Sequence, residues 1–257
     1  MQFKAVIFDL GDTLILTDKW DYDKCLANLL KSLHNDKIAT STSFEEFKRV
    51  YFEVRNKMYL DTEQSLKEVD FQQRVAETLK KFNFYATRKS PTISRAVEAF
   101  TDTLVKDLRI ENYIPSMLAG LREKHKLGLV TNFAYAPGVW KILKRFNLTR
   151  FFDAVVVSGE IGIRKPHPLL FKEALRQIDR QAEEAVFIGD SLKADINGAK
   201  KVGFKTVLVE NAGLRKNPYA VAGELEPFPV EPDVKIPNLK HLSEVLDNWQ
   251  SFMRPTI

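Results

Sequence analysis

Short β-rich runs alternate with amphipathic helical stretches through the half of the chain that follows Pro115. Strands are predicted over 127–131, 154–158, 185–189 and 205–210, and helices over 139–146, 169–178 and 192–202. Such alternation is typical of a mostly parallel sheet with helices on both faces. An apolar run over 3–10 predicts a first strand of the same sheet. The sequence therefore predicts an α/β fold with a doubly wound, Rossmann-like parallel sheet.

The hydrophobic pattern is helical throughout the stretch between the first predicted strand and Glu111. Apolar residues recur there at helical spacing in four separate stripes, which begin at Cys25, Phe44, Phe71 and Ile93. Four amphipathic helices without a strand between them predict a small α-helical bundle. We therefore predict a core made of residues 1–16 and 112–257, with residues 17–111 inserted as a helical domain.

The last part of the chain, from Asn211 onward, is rich in proline. Proline interrupts both helices and sheet ladders, so we predict irregular surface packing there. A short strand near Val234 and a terminal helix over 239–249 are predicted to follow.

Composition excludes several classes of protein. With 257 residues and 44% hydrophobic side chains, the chain can bury a sizeable core. No apolar stretch approaches the roughly 20 residues needed to cross a bilayer, so no membrane association is expected. The first strand begins too early to leave room for a signal peptide, and we expect a cytoplasmic protein. The single cysteine, Cys25, excludes an internal disulfide and a cysteine-built zinc site, and we expect it to be a packing residue.

The net charge of +5, from 39 basic and 34 acidic side chains, suits a small anionic ligand. The bias is too small, and the basic residues too scattered, to indicate nucleic-acid binding. The oligomeric state is left open by the sequence.

The first predicted strand ends in the segment Asp9-Leu10-Gly11-Asp12-Thr13. An apolar run that breaks at once into Gly-Asp-Thr indicates a buried strand that delivers a carboxylate to a turn. Open α/β sheets bind their ligands at the carboxyl ends of the strands. Asp9 is therefore a candidate functional residue.

Three more segments place polar groups where strands end or helices begin. Thr131 and Asn132 close one strand with a hydroxyl and an amide, which are donors suited to a phosphate oxygen. Lys165 precedes a predicted helix start, and Asp190 closes another strand, with Asp195 five residues later. Carboxylates at strand ends can share a Mg²⁺ ion, and a lysine with that ion would neutralise a phosphate attacked by a carboxylate.

In this order, the four segments resemble the four motifs of the haloacid dehalogenase (HAD) superfamily, whose members are mostly phosphatases. The segment 189–203 is especially similar to the phosphatase branch. The common first motif is Asp-x-Asp-x-Thr, in which Asp9 and Thr13 match and Gly11 replaces the second Asp. The position of the helical insertion is also that of the family's helical cap. Within such a cap, the loop after Leu16, with Lys19, Trp20 and Lys24, is the first candidate for contact with the substrate, and a solvated helix start is the alternative for each of these residues.

The resemblance implies a metal site and a nucleophile. Asp9 would attack the phosphate, form an aspartyl-phosphate and bind Mg²⁺ through one oxygen. The backbone carbonyl of Gly11 and the carboxylate of Asp190 would be the other protein ligands of the metal. Asp195 would lie just outside them, near Lys165.

The resemblance also implies how the phosphoryl group is held. The Thr131 hydroxyl and the backbone at Asn132 would bind its oxygens, and Lys165 would neutralise its charge. Thr13 would brace the turn after the nucleophile. The family varies the residue at His167, which we expect to be a surface residue at a helix start.

The Asp missing at Gly11 serves other members of the family as the acid that protonates the leaving alcohol and then as the base that activates water. Asp12 is out of register to replace it, and we expect its carboxylate to point away or to cap the turn. A substrate with a good leaving group, such as an acyl or aryl phosphate, would need little protonation. A dehalogenase, a phosphonatase or a phosphate-binding regulatory protein would not need this acid at all.

We predict a Mg²⁺-dependent HAD-type hydrolase, a phosphatase of weak or selective activity that acts on a small phosphorylated or otherwise anionic metabolite. The alternatives are a catalytically weak phosphate-binding or regulatory protein and a haloacid dehalogenase. The latter usually departs from the fourth motif, whereas Asp190 and Asp195 are both present.

Overall fold

The computed structural model describes residues 3–17, 19–210 and 228–252. Its centre is a six-stranded sheet in which every adjacent pair of strands is parallel. The strands are β1 (Ala5–Phe8), β2 (Lys126–Thr131), β3 (Ala154–Val157), β4 (Ala185–Gly189), β5 (Lys205–Val209) and β6 (Val234–Ile236). The predicted α/β fold with a parallel sheet is confirmed.

The strand order across the sheet is β3-β2-β1-β4-β5-β6. The chain runs outward from β1 in one direction and then returns to build the other half from β4, so the order reverses between β1 and β4. Ligands of open α/β sheets bind at this point, beyond the carboxyl ends of the strands. β1 is central, and its four side chains have no exposed surface, which explains why its sequence is a continuous apolar run.

Five helices lie between β1 and β2, and the first four match the four predicted apolar stripes. These four are α1 (Tyr22–Asn35), α2 (Phe44–Asp61), α3 (Phe71–Lys80) and α4 (Pro91–Asp107). Side chains of Asp21, Ser43 and Asp70 accept hydrogen bonds from the first turns of α1, α2 and α3 and so begin these helices. No helix within the described residues combines the length and the apolar character that crossing a lipid bilayer requires.

The remaining helices cover the sheet. They are α5 (Ile114–Arg122), α6 (Ala136–Arg145), α7 (Ser158–Ile161), α8 (Pro168–Ile178), α9 (Asn197–Val202), α10 (Leu242–Asp247) and α11 (Trp249–Phe252). Short 3₁₀ turns occur at Thr149–Phe151, Ala182–Glu184 and Leu239–His241.

Three details differ from the sequence expectation. Helix α5 was not predicted, because Pro115 was interpreted as the end of the helical part, whereas it lies in the first turn of α5. The predicted helix over 192–202 begins as a π-helical turn, Leu192–Ile196. The predicted terminal helix is divided into a 3₁₀ turn, α10 and α11. The strand near Val234 is confirmed as β6, and much of the predicted irregular segment, 211–227, lies outside the described residues.

The two chain segments that enter and leave the helical insertion run side by side. Leu16 and Arg109 exchange backbone hydrogen bonds of 2.9 and 3.3 Å as an isolated antiparallel bridge. The insertion therefore begins and ends at one place on the core. The division into 1–16, 17–111 and 112–257 stays a prediction.

Cys25 is fully buried in α1 and accepts a hydrogen bond of 3.3 Å from the Trp20 indole. Burial raises the pKa of its thiol to about 12, although the indole hydrogen bond acts in the opposite direction. A buried thiol with such a pKa is not a nucleophile near neutral pH, which agrees with the expected packing role.

Candidate active site

The predicted site residues meet at the carboxyl edge of the sheet, on the two sides of the point where the strand order reverses. Asp9 directly follows β1, and its backbone N–H donates to the Ile188 carbonyl in β4 at 2.9 Å. Asp190 directly follows β4. Thr131 is the last residue of β2, the other neighbour of β1, and its side chain is buried. Parallel strands thus bring residues from distant parts of the chain to one edge.

Lys165 connects the segments of this edge. Its ammonium group donates to Asp9 Oδ1 at 2.5 Å, to Asp195 Oδ1 at 2.7 Å and to the Val130 carbonyl at 2.9 Å. Only 3% of the residue is exposed. A buried lysine is stable as a cation only when carboxylates or carbonyls surround it, and here all three of its protons have acceptors.

The Asn132 side chain holds the loop that carries Lys165. Its Oδ1 accepts from the Lys165 backbone N–H at 2.7 Å, and its Nδ2 donates to the Lys165 carbonyl at 3.2 Å. The sequence pattern offers the Asn132 amide as a donor to a phosphate oxygen, and the family resemblance implies that role for the backbone at Asn132. The side chain therefore has a second task, which is to set the position of the lysine.

Burial and charge act together on the ionisable groups. Burial raises the pKa of the Asp9 carboxyl to about 6; the Lys165 ammonium lowers it and Asp195 raises it. The Lys165 ammonium offsets only part of the effect of burial on the pKa of Asp9, because the same ammonium also contacts the Asp195 carboxylate. Burial lowers the pKa of Lys165, but the carboxylates of Asp195 and Asp9 raise it by more, so it lies above its usual value. Lys165 is therefore charged throughout the neutral range.

Three carboxylates at this edge are close enough to share one cation. One oxygen each from Asp9, Asp190 and Asp195 lie within 4.8 Å of one another. Asp190 keeps exposed surface, yet desolvation of its carboxylate and the negative charges of Asp195, Asp9 and Asp12 raise its pKa well above the usual value. The Thr13 hydroxyl donates to Asp190 Oδ1 at 3.4 Å. An oxygen-only set of this kind, with more negative charge than one lysine neutralises, fits Mg²⁺.

Gly11 and Asp12 lie in the turn after Asp9. A Cβ added to Gly11 would meet no atom within 4 Å, so the position has room for a side chain. Asp12 adopts a positive φ of 53°, and its Oδ1 accepts from the Thr17 N–H at 3.0 Å and from the Thr17 hydroxyl at 2.7 Å. The carboxylate of Asp12 caps the turn, as expected.

Gly189 explains how the Asp195 carboxylate reaches the site, and it provides a test. A Cβ at Gly189 would lie 2.4 Å from Asp195 Oδ2, the oxygen that accepts from the Ser191 N–H at 3.0 Å. We expect Gly189→Ala to displace Asp195 from Lys165, to lower the free energy of unfolding by about 2–3 kcal/mol and to reduce activity. Urea unfolding measures the change in the free energy of unfolding, and an activity assay measures the change in turnover.

The matched control is Gly120→Ala on α5, where a Cβ would meet no atom within 4 Å. Alanine is favoured over glycine in a helix, so we expect this change to raise the free energy of unfolding by up to about 1 kcal/mol. Equal stabilities of the two variants would contradict the close approach of Asp195 to Gly189.

Sequence reasoning missed a contact between the insertion and the strand ends. The Ser158 hydroxyl, just after β3, donates to Glu68 Oε2 and accepts from the Phe133 N–H at 2.8 Å. Backbone bonds join Glu68 to Gly162 at 2.9 Å and Phe71 to Ala134 at 3.3 Å. The position of Ser158 at the end of a predicted strand marks it as a polar residue near the site. Nothing local in the sequence pairs it with Glu68, 90 residues earlier.

Three further residues considered in the sequence analysis, Lys19, Lys24 and His167, are not part of the carboxylate cluster. Lys24 forms an ion pair of 2.9 Å with Asp107, and Lys19 is exposed. A role of the loop after Leu16 in substrate recognition stays a prediction. His167 Nδ1 accepts from the Leu169 N–H at 3.2 Å and caps α8, as expected for a residue at a helix start.

The chain is similar to known proteins in sequence and in fold. A family model described as haloacid dehalogenase-like hydrolase matches residues 6–209. The glyceraldehyde 3-phosphate phosphatase of Methanopyrus kandleri is 31% identical over 207 residues, which cover 80% of this chain and 83% of that protein. A 2-haloacid dehalogenase from Pseudomonas syringae aligns with a TM-score of 0.70 at 22% identity, over 96% of this chain and 100% of that one. The magnesium-bound Bacillus subtilis protein YfnB aligns with a TM-score of 0.63 at 21% identity, with the same coverage.

Proposed function

We propose a phosphatase activity on a small phosphorylated metabolite for this chain, which belongs to the haloacid dehalogenase-like hydrolase family. The observation that supports this activity most is the Lys165 ammonium, which contacts both Asp9 and Asp195 beside the third carboxylate, Asp190. This set combines a nucleophile with the positive charge and the metal ligands that attack on a phosphate dianion needs. The phosphatase relative from Methanopyrus kandleri points to the same reaction class.

Asp9, Asp190 and the backbone carbonyl of Gly11 would hold Mg²⁺, with Asp195 supporting Lys165. Bound there, the ion would supply positive charge to the phosphoryl oxygens. The Thr131 hydroxyl and the backbone N–H at Asn132 would donate to the same oxygens. Thr13, through Asp190, would keep that carboxylate in place.

In the reaction, an Asp9 carboxylate oxygen forms a bond to phosphorus while the ester P–O bond breaks and its electron pair leaves on the alcohol oxygen. Gly11 has no proton to give, so the leaving oxygen takes a proton from solvent. Water then attacks the phosphorus of the aspartyl-phosphate, releases its proton to solvent, and frees phosphate and Asp9. Loss of a general acid costs about 10²–10⁴-fold, so good leaving groups are favoured.

The insertion would act as a cap over this edge, because residues 66–71 already contact the segment after β2 and the segment before Lys165. A cover of this kind limits the access of bulk water to the reacting groups while leaving room for the single water molecule that the second step needs. A haloacid dehalogenase is the second candidate, and the absence of the acid at Gly11 is the observation that favours it. Asp190 and Asp195 favour the metal-dependent phosphatase.

A panel of acyl, aryl and alkyl phosphates of similar size tests the proposal. We expect phosphate release that requires Mg²⁺ and stops on chelation with EDTA. Acyl and aryl phosphates should exceed alkyl phosphates by about 10²-fold or more in kcat/KM, because their leaving groups need no proton. Phosphate release is measured by a colorimetric assay.

Two outcomes would contradict the proposal. Chloride release from chloroacetate without metal, and no phosphate release, would establish the dehalogenase instead. Phosphate binding measured by calorimetry, without turnover of any ester, would favour the phosphate-binding or regulatory alternative.

A further inference from the structure

Helix α3 of the insertion buries a guanidinium that forms no ion pair with any carboxylate among the described residues. Arg74 is only 6% exposed. Its Nη1 donates to the Tyr51 hydroxyl at 3.0 Å and its Nη2 to the Val69 carbonyl at 3.2 Å. Its Nε has no hydrogen-bond partner in the ranges 3–17, 19–210 and 228–252. Within the described part of the chain, no carboxylate oxygen lies within the 4.0 Å that defines an ion pair with Arg74.

This arrangement is costly for the protein alone. A buried cation without an anion is strongly destabilising, and contacts with aromatic rings offset only part of this cost. The ring centroids of Phe71, Tyr59 and Tyr51 lie 4.9, 5.7 and 5.9 Å from the guanidinium, and none of these rings supplies an anionic acceptor. The nearby carboxylate of Glu68 is occupied by the Val69 N–H at 2.8 Å and by the Ser158 hydroxyl. An oxyanion from outside the chain would supply both the charge and the acceptor that Arg74 lacks.

The guanidinium lies beside the strand ends that form the candidate active site. Phe71, on whose ring it lies, donates its backbone N–H to the Ala134 carbonyl at 3.3 Å. Ala134 is two residues after Asn132, so their Cα atoms are at most about 7 Å apart. Arg74 is thus separated from the phosphoryl-binding segment by one side chain and a short piece of backbone.

We propose that Arg74, with the Tyr51 hydroxyl, binds a second anionic group of the substrate. The substrate class is then a phosphate monoester that carries a carboxylate or a second phosphate at the end remote from the transferred phosphoryl group. The proposal rests on the phosphatase activity proposed above. A guanidinium and a hydroxyl suit either oxyanion. Tyr22, whose hydroxyl lies 2.9 Å from that of Tyr51, extends this buried polar cluster.

Three series of phosphate monoesters test this, each with two- to four-carbon chains: alkyl phosphates, phosphorylated carboxylic acids and diol bisphosphates. We expect wild type to prefer one or both anionic series over the alkyl phosphate of equal length by about tenfold or more in kcat/KM. A preference of this size is what one hydrogen bond to a charged group typically contributes. The series with the preference identifies the anion as a carboxylate or a phosphate.

In Arg74→Met we expect that ratio to fall to about 1–2, mostly through KM, and in Tyr51→Phe to fall by a few-fold. The matched control Arg49→Met, on the exposed face of α2 with 62% of its side chain accessible, should keep the wild-type ratio. No preference for either anionic series in wild type, or an unchanged ratio in Arg74→Met, would overturn the proposal. An equal loss for all three series with a lower melting temperature would show a merely structural role and overturn it too.

Binding without turnover separates this proposal from the phosphatase proposal. Calorimetry on Asp9→Asn should show tighter binding of an anionic-tailed ester than of its alkyl counterpart, and the further change Arg74→Met should remove the difference. If no ester is hydrolysed yet this difference is present, the phosphatase proposal fails and the anion site stands. If esters are hydrolysed and no difference is found, the anion site fails.

Discussion

Asp9→Asn is expected to lower kcat by at least about 10⁴-fold on every phosphate ester, because it removes the nucleophile and with it the covalent route. Asparagine has the same shape, and Lys165 keeps its contact of 2.7 Å with Asp195, so the fold should persist. The change also removes one of three clustered negative charges. We therefore expect a melting temperature within a few degrees of wild type. Steady-state phosphate release and a thermal melt measure the two quantities.

The matched control is Asp12→Asn, three residues further along the same turn. The Asp12 carboxylate accepts from the Thr17 N–H and hydroxyl, so its loss should cost about 1 kcal/mol of stability, as for other caps. Its kcat should stay within about tenfold of wild type, since a cap carries no reacting group. A loss of activity in Asp12→Asn as large as in Asp9→Asn would show that Asp12 takes part in proton transfer.

Gly11→Asp is expected to raise the hydrolysis of alkyl phosphates by about 10²-fold or more. The added carboxyl group would protonate the leaving oxygen and later accept a proton from the attacking water. The position tolerates a side chain, because nothing lies within 4 Å of an added Cβ. Acyl phosphates leave without a proton, so their hydrolysis should change much less. The ratio of kcat for alkyl and acyl phosphates is the decisive measurement.

Gly11→Asn serves as the control for this gain, since it has nearly the same volume but cannot donate a proton as a carboxylic acid does. Its alkyl phosphate activity should stay near that of wild type. Equal activity of Gly11→Asp, Gly11→Asn and wild type would show that a step other than proton transfer limits turnover, such as opening of the insertion or product release.

Most of the fold was predictable from the local periodicity of hydrophobic residues. The strands β4 and β5 and the four helices of the insertion were recognisable because burial on both faces gives a strand an apolar run and burial on one face gives a helix a stripe. Helix α5 was missed for a local reason, since Pro115 was interpreted as a boundary although proline is favoured in the first helical turn. The π-helical turn before α9 had no distinct pattern. Asp195 in this turn accepts a hydrogen bond from Lys165, 30 residues away in the chain. Hydrophobic periodicity carries no information about such a long-range contact.

The sequence by itself determined which residue types stand at the strand ends, because apolar runs end where polar residues begin and parallel topology gathers those ends at one edge. Only the tertiary structure decided their partners. It places Lys165 between Asp9, 156 residues away, and Asp195, and it holds the Lys165 loop by the Asn132 amide. It likewise shows Arg74 to be a buried cation that forms no ion pair within the part of the chain that the structure describes. A sequence shows that a residue is charged, whereas burial and the presence of a counter-charge depend on segments that meet only in the folded chain.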